Sequence, residues 1–230
     1  MRTKKAMLLG MILLLMVLLG ACAAPAPETV TFPDENLEAA ISDALGKPAG
    51  EAITPAEMAG LTSLSLPSVW DITDLSGIEY CTNLTSLTLG ASQIDLSPLA
   101  SLINLTWLDL HNNQISDVSP LASLTNLAVL NLWGNRISDI SPLASLTSLV
   151  GLNLRNNEIS DLSPLVSLTN LTWLILTWNQ ISDISPLVEN SGLGEGDAVE
   201  LANNNLDLSE GSEDLENIRQ LEGRGVVVHY

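Results

Sequence analysis

The sequence is poor in cysteine, aromatic residues and basic residues. It holds 2 cysteines in 230 residues, too few for a disulfide framework, so packing must supply the stability. Its 8 Lys and Arg residues face 27 Asp and Glu residues, which gives a formal net charge of −19. Nucleic acids and anionic lipid headgroups bind to basic faces, so neither is expected as a partner. Metal-ligand spacings such as HExxH and CxxC are absent, and no cofactor or metal site is predicted.

Leucine, by contrast, is abundant and regularly spaced. Almost four copies of the pattern L-x-x-L-x-L-x-x-N-x-I-S-D-x-S-P-L follow one another between Leu105 and Leu187, with a period of 22 residues. Leucines at fixed offsets in a repeat of this length are typical of a leucine-rich-repeat solenoid, in which each repeat is a strand plus a return segment. The pattern therefore predicts an α/β fold with a parallel sheet and short helical or 3-10 returns.

Each repeat also contains an asparagine at the point where the chain leaves the strand. Its amide carries donors and an acceptor that can satisfy buried backbone groups of that turn and the next. The four asparagines are Asn113, Asn135, Asn157 and Asn179. We predict that they form a structural ladder and not a catalytic set.

A second ladder consists of the aspartates Asp117, Asp139, Asp161 and Asp183, each followed by Ser-Pro. Aspartate and serine can cap a short helical turn, and proline fits the first position of that turn. Calcium binding is the alternative, because carboxylates in adjacent turns would lie about 5 Å apart. A calcium site needs about six oxygens or more, and capping already explains the aspartates, so capping is the preferred interpretation.

The rest of the chain divides around these repeats. Phe32–Lys47 is predicted to form an amphipathic helix, and Thr54 and Pro55 the start of a second, short helix. A solenoid exposes an apolar cross-section at each end, which caps must cover. The predicted segments are a lipoprotein signal peptide at 1–21, a lipidated cysteine and linker at 22–30, a helical N-terminal cap at 31–60, leucine-rich repeats at 61–206 and a small C-terminal cap at 207–230.

The first residues predict export. Three basic residues precede Ala6–Leu19, an apolar run that suits a signal peptide and is short for a membrane span of about 20 residues. The run ends in Leu19-Gly20-Ala21-Cys22, which resembles the lipobox of bacterial lipoproteins. The resemblance implies that Cys22 is a lipid anchor on the extracytoplasmic side of the bacterial cell envelope. Loss of residues 1–21 removes three basic and no acidic residues, which takes the formal charge to −22. Cys81 is predicted to be a buried core residue.

The repeats between Leu105 and Leu187 resemble the internalin-type leucine-rich repeats of bacterial surface proteins, whose pattern is LxxLxLxxNxIxDxxPL. This resemblance implies a curved, right-handed solenoid whose parallel sheet is concave and holds a partner. It therefore implies a non-enzymatic binding module at the cell surface, with a protein or peptide ligand.

The outward positions of the strands are the candidate binding site, because packing fixes the inward ones. Four of the five tryptophans fall on outward positions, although the chain has only one Phe and two Tyr. Tryptophan and arginine are enriched among the residues that dominate binding energy at interfaces. The candidate ligand-binding residues are Trp107, Asp109, His111, Trp133, Arg155, Trp173, Ile175 and Trp178.

Two other functions stay open at this point. Carbohydrate could stack on the same indole rings, with Asp109, Asn131 and Asn153 as a polar row between them. A hydrolase is conceivable because Asp109 and His111 are two residues apart and share a face, so the carboxylate could orient the imidazole. No serine or cysteine nucleophile is placed beside them by a motif, and we expect no catalytic residue.

Overall fold

The computed structural model describes residues 28–66, 71–90 and 94–230. In this part of the chain, eight strands form one parallel sheet in sequence order. They are β1 Ser63–Leu66, β2 Ser86–Leu89, β3 Trp107–Asp109, β4 Val129–Asn131, β5 Gly151–Asn153, β6 Trp173–Ile175, β7 Ala198–Glu200 and β8 Val227–His229. The predicted right-handed leucine-rich-repeat solenoid with a concave parallel sheet is confirmed. The predicted signal peptide, Cys22 and residues 23–27 lie outside the described residues.

Successive strands pair so that each residue lies beside the equivalent residue of the next repeat. Leu108 lies beside Leu130, and Leu130 lies beside Leu152. All three leucines are fully buried, since each coil covers the apolar side of its neighbour. Pairing without an offset lines up equivalent residues in straight rows across the sheet, on the outward side as well as the inward side.

The asparagine ladder closes the turn after each strand. Asn157 Nδ2 donates to the carbonyl oxygens of Leu132 and Leu154, both at 3.0 Å, and its Oδ1 accepts from the Ile137 N–H at 3.0 Å. The same bonds are made by Asn135, Asn179 and Asn204. One side chain thus satisfies backbone groups of its own coil and of the preceding one. The structural interpretation of this ladder is confirmed.

The returns on the convex side are short 3-10 helices at Ile78–Tyr80, Ser97–Ser101, Ser119–Ser123, Ser141–Ser145 and Ser163–Ser167. Asp117 Oδ1 accepts the N–H of Ser119, the first helical residue, at 2.8 Å. The three other aspartates of the ladder make the equivalent bond at the same distance. Each aspartate therefore bonds the first N–H of its return, as a capping role predicts, although it lies one residue before the N-cap. In the Ser-Pro returns proline is the second helical residue and not the first, because serine supplies the N–H that the aspartate binds.

Two helices precede the sheet: α1 Glu35–Leu45 and α2 Pro55–Met58. Asp34 caps α1 through one carboxylate oxygen, and its other oxygen accepts the N–H groups of Thr73, at 2.7 Å, and Asp74, at 3.2 Å. Burial acts to raise the pKa of Asp34, but these hydrogen bonds together hold that pKa below its usual value. One carboxylate therefore joins the helical cap to the first coil.

The second helix starts with the predicted N-cap. Thr54 Oγ1 accepts the Glu57 N–H, and the Glu57 carboxylate accepts the Thr54 N–H at 2.8 Å, which is a complete capping box. Lys47 Nζ donates to Glu57 Oε1 at 2.6 Å. The hydrogen bond from Lys47 and those from Thr54 lower the pKa of Glu57 to about 2.

The C-terminal end departs from the repeat in two ways. The last return is a short α-helix, α3 Ser185–Glu189, and it is followed by Asn190, which is fully buried where the other coils carry leucine. Asn190 Nδ2 donates to the Leu165 carbonyl at 2.8 Å. Beyond it, α4 Glu213–Gly223 packs against α3, and the predicted apolar tail forms β8, which extends the sheet by one strand.

Cys81 is fully buried in the core, as predicted, and burial raises the pKa of its thiol to about 12. Such a thiol is protonated at neutral pH and is a poor nucleophile. None of the helices in the described ranges has the length and apolar character needed to cross a membrane.

Candidate functional site

The outward residues of β3 to β6 and of the turns after them form four rows, which together make up the concave face. The first row is Trp107, Val129, Gly151 and Trp173, and the second is Asp109, Asn131, Asn153 and Ile175. The third row is His111, Trp133, Arg155 and Thr177, and the fourth is Asn112, Gly134, Asn156 and Trp178. All eight predicted ligand-binding residues lie in these rows, about 4.8 Å apart from one coil to the next.

The second row is partly occupied by bonds to its own backbone. Asp109, Asn131 and Asn153 each accept, through Oδ1, the N–H of the residue two positions later, at 3.1, 3.2 and 3.0 Å. These bonds bend the chain away from the strand. Ile175 has no side-chain acceptor, so this bond is missing in its coil. The polar row consists of the three residues named from the sequence, and one oxygen of each is engaged by the backbone.

Asp109, His111 and Trp133 form one connected group. His111 Nδ1 lies 2.8 Å from Asp109 Oδ1, and the imidazole stacks on the Trp133 indole with ring centroids 5.9 Å apart and planes inclined by 12°. The carboxylate thus fixes the orientation of the imidazole, as the sequence suggested. This orientation lays the ring flat on tryptophan, which makes a continuous aromatic platform across β3 and β4.

Trp173 lies over Gly151. A Cβ atom added to Gly151 would come within 2.0 Å of Trp173 Cε2 and Cζ2, so the indole occupies the space that a side chain would fill. Trp173 is consequently less exposed than Trp107, which lies in the same row and is 47 % exposed. A glycine inside a strand pattern was the signal for such a close approach, and the sequence reasoning missed it.

Trp178 occupies a backbone conformation that a bulky residue rarely adopts. Its φ is 61°, in the left-handed region, and the equivalent residues Asn112, Gly134, Asn156 and Asn203 have φ between 55° and 71°. Those residues are glycine or asparagine, which tolerate this region well. Tryptophan costs about 1–2 kcal/mol there, and no burial compensates because the side chain is 54 % exposed. Retention of strain with exposure points to a role in binding.

Comparison with known proteins places these repeats in a family. Residues 103–145 match the model described as "Leucine Rich repeats (2 copies)", and residues 125–181 match "Leucine rich repeat". The crystal structure of internalin C2 from Listeria monocytogenes is 36 % identical, with a TM-score of 0.65, and the match covers 89 % of this chain and 100 % of that one. The chain belongs to the internalin-type leucine-rich-repeat family.

The crystal structure of an internalin (inlF) from Listeria monocytogenes is also similar to this internalin-type chain. The two are 36 % identical with a TM-score of 0.76, and the match covers 91 % of this chain. It covers 59 % of that chain, so this protein spans little more than half the length of that structure. A search of the curated proteins found no match.

Metal ligation finds no support in the described part of this internalin-type chain, where no three His, Cys, Asp or Glu side chains are grouped to hold an ion. The aspartate ladder is engaged by serine N–H groups. A cavity of about 390 Å³ lies between the turns after β2 and β3, lined by Ile94, Asp95, Gln114 and Asp117 among others. None of its lining residues belongs to the four rows of the concave face.

The sequence-predicted tryptophans differ in what they offer a ligand. Trp107 and Trp178 are about half-exposed, Trp133 is 37 % exposed and carries His111, and Trp173 is held down on Gly151. Trp70, the fifth tryptophan, lies outside the described residues. The exposed rings thus lie at the two ends of the face, and Arg155 lies between them.

Proposed function

We propose that this internalin-type chain is a non-enzymatic binding module of the bacterial cell surface, which recognises a protein or peptide partner on its concave face. The observation that carries the proposal is the exposure of Trp107, Trp133 and Trp178 on that one face. Exposed indole rings lose the free energy that burial would give, and tryptophans gathered on one face are typical of an interaction site. Folding alone gives no reason for these rings, since the packed core lies on the other side of the sheet.

Trp178 adds a second argument. Its equivalents in the other coils are asparagine or glycine, so the solenoid closes well without tryptophan at this position. A tryptophan here lowers stability and enlarges the apolar surface available to a partner. Residues that dominate binding energy at interfaces are often tryptophan, and replacing one can cost about 2 kcal/mol or more of binding.

Attachment to the membrane is the second part of the proposal. Cys22, in its lipobox-like context, would carry the lipid, and residues 23–30 would separate it from the cap. Two or more acyl chains would give stable attachment, because each buried CH₂ contributes about 0.8 kcal/mol. Replacement of Cys22 by serine should move the protein from the membrane fraction to the soluble fraction. Equal membrane association of both forms would contradict a lipid anchor at this residue.

A carbohydrate ligand is favoured by one observation, the stacked rings of His111 and Trp133 beside the polar side chains of Asp109 and Asn131. Sugars stack on aromatic rings, and amide groups can bind hydroxyls. This group covers the β3 and β4 half of the face only. The hydrolase alternative remains a hypothesis about the Asp109–His111 pair, and a hydrolase screen comparing wild type with His111→Ala tests it.

The deciding experiment is capture of ligands from bacterial envelope extracts and polysaccharides by the full-length chain in detergent. The test variant combines Trp107→Ala, Trp173→Ala and Trp178→Ala. The matched control is Ile103→Ala, which removes an apolar side chain that is 53 % exposed but lies outside the four rows. Both variants are first compared with wild type by thermal unfolding, so that loss of fold is recognised.

A partner retained by wild type and Ile103→Ala, and lost by the folded triple variant, is the expected result. The chemical nature of the captured partner then separates protein from carbohydrate. Equal capture by all three forms would contradict binding on the concave face and would direct attention to the caps and the acidic convex side.

A further inference from the structure

The middle of the concave face holds a single charge. Across β4, β5 and β6 the four rows contain twelve residues, of which Arg155 alone is ionisable. The nearest acidic side chains on the strands to either side are Asp109 on β3, which is bonded to His111, and Glu200 on β7, whose position lies beside Ile175. The aspartates of the ladder lie at the starts of the convex returns. An acidic protein thus presents one basic side chain in the middle of this face.

Arg155 is not used by the fold. Its side chain is exposed and makes no ion pair or hydrogen bond within residues 28–66, 71–90 and 94–230. Elsewhere, Lys47 binds Glu57 at 2.6 Å, and Arg219 binds Glu210 at 3.0 Å. In a chain with 27 acidic and 8 basic residues, an exposed arginine that makes no ion pair in the described structure is available to a partner.

Apolar rings lie on both sides of this arginine. The Gly134 N–H donates to the Arg155 carbonyl at 2.9 Å, which places Arg155 one coil from Trp133. The Asn156 N–H donates to the Thr177 carbonyl at 2.9 Å, which places Trp178 close on the other side. Rings that exclude water strengthen a pair between guanidinium and carboxylate, and the planar guanidinium binds a carboxylate through two parallel hydrogen bonds.

On β6, the surface beyond Arg155 is mainly apolar, and Glu200 on β7 is the first acidic residue after it in the second row. The second row is polar from Asp109 to Asn153 and then changes to Ile175, beside the half-buried Trp173. The Thr177 hydroxyl is buried and has no hydrogen-bond partner in the described structure. Sugar hydroxyls would find few partners on the β6 half of the face. An aliphatic or aromatic side chain fits it better.

We infer that the partner is a protein that presents an acidic peptide segment: a carboxylate binds Arg155, and a neighbouring apolar side chain packs on Trp173, Ile175 and Trp178. This inference rests on the proposed function. It restricts the class of partner to peptides in which an acidic side chain neighbours an apolar one. The net charge of the chain does not prevent such binding, because charges farther than about 8 Å are largely screened at physiological ionic strength.

The test selects peptides from a phage-displayed random library on the immobilised full-length chain in detergent. Peptides selected by wild type should carry Asp or Glu beside an aromatic or aliphatic residue. Arg155→Glu should lower the affinity for such a peptide by about tenfold or more, as expected for loss of a charge-assisted pair. Arg136→Glu is the matched control: Arg136 is also exposed, the charge change is identical, and it lies outside the four rows.

A reciprocal change sharpens the test, because a peptide with Arg in place of its acidic residue should recover binding to Arg155→Glu. The inference would be overturned if the selected peptides lack acidic residues and bind wild type and Arg155→Glu equally. If such peptides also fail to bind Trp178→Ala, the proposed function still stands. Binding of polygalacturonate through Arg155, with no peptide selected, would overturn the peptide assignment. Selection that no substitution in the four rows alters, or no selection of any ligand, would overturn the proposed function itself.

Discussion

The inward and outward sides of the same strands follow opposite rules. Inward positions repeat from coil to coil, with Leu108, Leu130 and Leu152 fully buried side by side. Outward positions in the same strands vary much more, as in the row Trp107, Val129, Gly151 and Trp173. Packing against a neighbouring coil restricts these inward positions to leucine, whereas solvent does not restrict the residue type at outward positions. Residues that bind a partner are therefore expected among the variable positions of the concave face.

The largest expected effect comes from the inward side. Asn157→Ala leaves the N–H of Ile137 without its partner. It also removes one of two amide donors from the carbonyls of Leu132 and Leu154, which keep their bonds from the neighbouring asparagines of the ladder. An unsatisfied buried backbone group costs about 1–3 kcal/mol and each lost hydrogen bond about 1 kcal/mol, so the free energy of unfolding should fall by about 2–4 kcal/mol in urea denaturation. Asn156→Gly is the control: its φ of 55° suits glycine, and it should change stability little. Similar losses in both variants would contradict the contrast between the two sides.

The next effect tests the contact between two outward residues. Gly151→Ala introduces a Cβ where the Trp173 indole lies, so the ring must move into solvent. We expect a loss of about 1–3 kcal/mol in the free energy of unfolding, the usual range for overpacking, and a red shift of tryptophan fluorescence. Val129→Ala, in the same row, should leave the fluorescence unchanged. An unshifted spectrum for Gly151→Ala would show that Trp173 does not lie on Gly151.

A smaller effect has the opposite sign. Trp178→Asn places at φ 61° the residue that most other coils use there, so it should raise the free energy of unfolding by about 1 kcal/mol. Trp107→Asn is the control, since it replaces an exposed tryptophan in β3, where asparagine is unfavourable, and should lower stability slightly. Denaturant midpoints measure both. Destabilisation by Trp178→Asn would remove the argument from strain.

The smallest effect concerns the joint between cap and repeats and depends on pH. The pKa of Asp34 is lowered in the folded state, so its carboxylate stabilises the fold above the unfolded-state pKa of about 3.9 and loses this contribution as pH falls through the folded pKa. Asp34→Asn should therefore lower the free energy of unfolding by about 0.5–1 kcal/mol at pH 7 and less at pH 3.

The control for this pH test is Asp43→Asn, which removes the same charge from an exposed position of α1. Its free energy of unfolding should equal that of wild type at both pH values. A difference between Asp34→Asn and wild type that stays constant from pH 7 to pH 3 would contradict a lowered pKa of Asp34 in the folded state.

Most of the fold could be predicted from the sequence, because each prediction depended on periodicity. The 22-residue spacing of leucine, asparagine and Asp-Ser-Pro fixed the strands, the turn ladder and the capped returns, and the structure confirmed all three. The position of proline was wrong by one residue, since the spacing did not reveal that serine supplies the bonded N–H. The role of the tail was also only partly foreseen: its apolar residues form β8, a strand that pairs with β7.

The candidate site was less readable, although alternation alone assigned Trp107, Trp133 and Trp173 to the outward side. Which side chains are free depends on neighbours one coil away, 22 or more residues distant in the chain. Trp173 lies on Gly151, and His111 lies on Trp133. These two contacts join residues that no local pattern connects, whereas the Asp109–His111 contact is local and was anticipated.

The sequence by itself determined the solenoid, because each repeat carries the same buried leucines and the same asparagine, and only stacking in register buries them. It also determined which residues face outward. The tertiary structure alone decided how those residues are exposed: it gave Trp178 a left-handed backbone, covered Gly151 with an indole and left Arg155 without a carboxylate. The physical reason is that burial follows from the shared core of a coil, whereas the chemistry of the concave face follows from pairs of side chains that meet between coils.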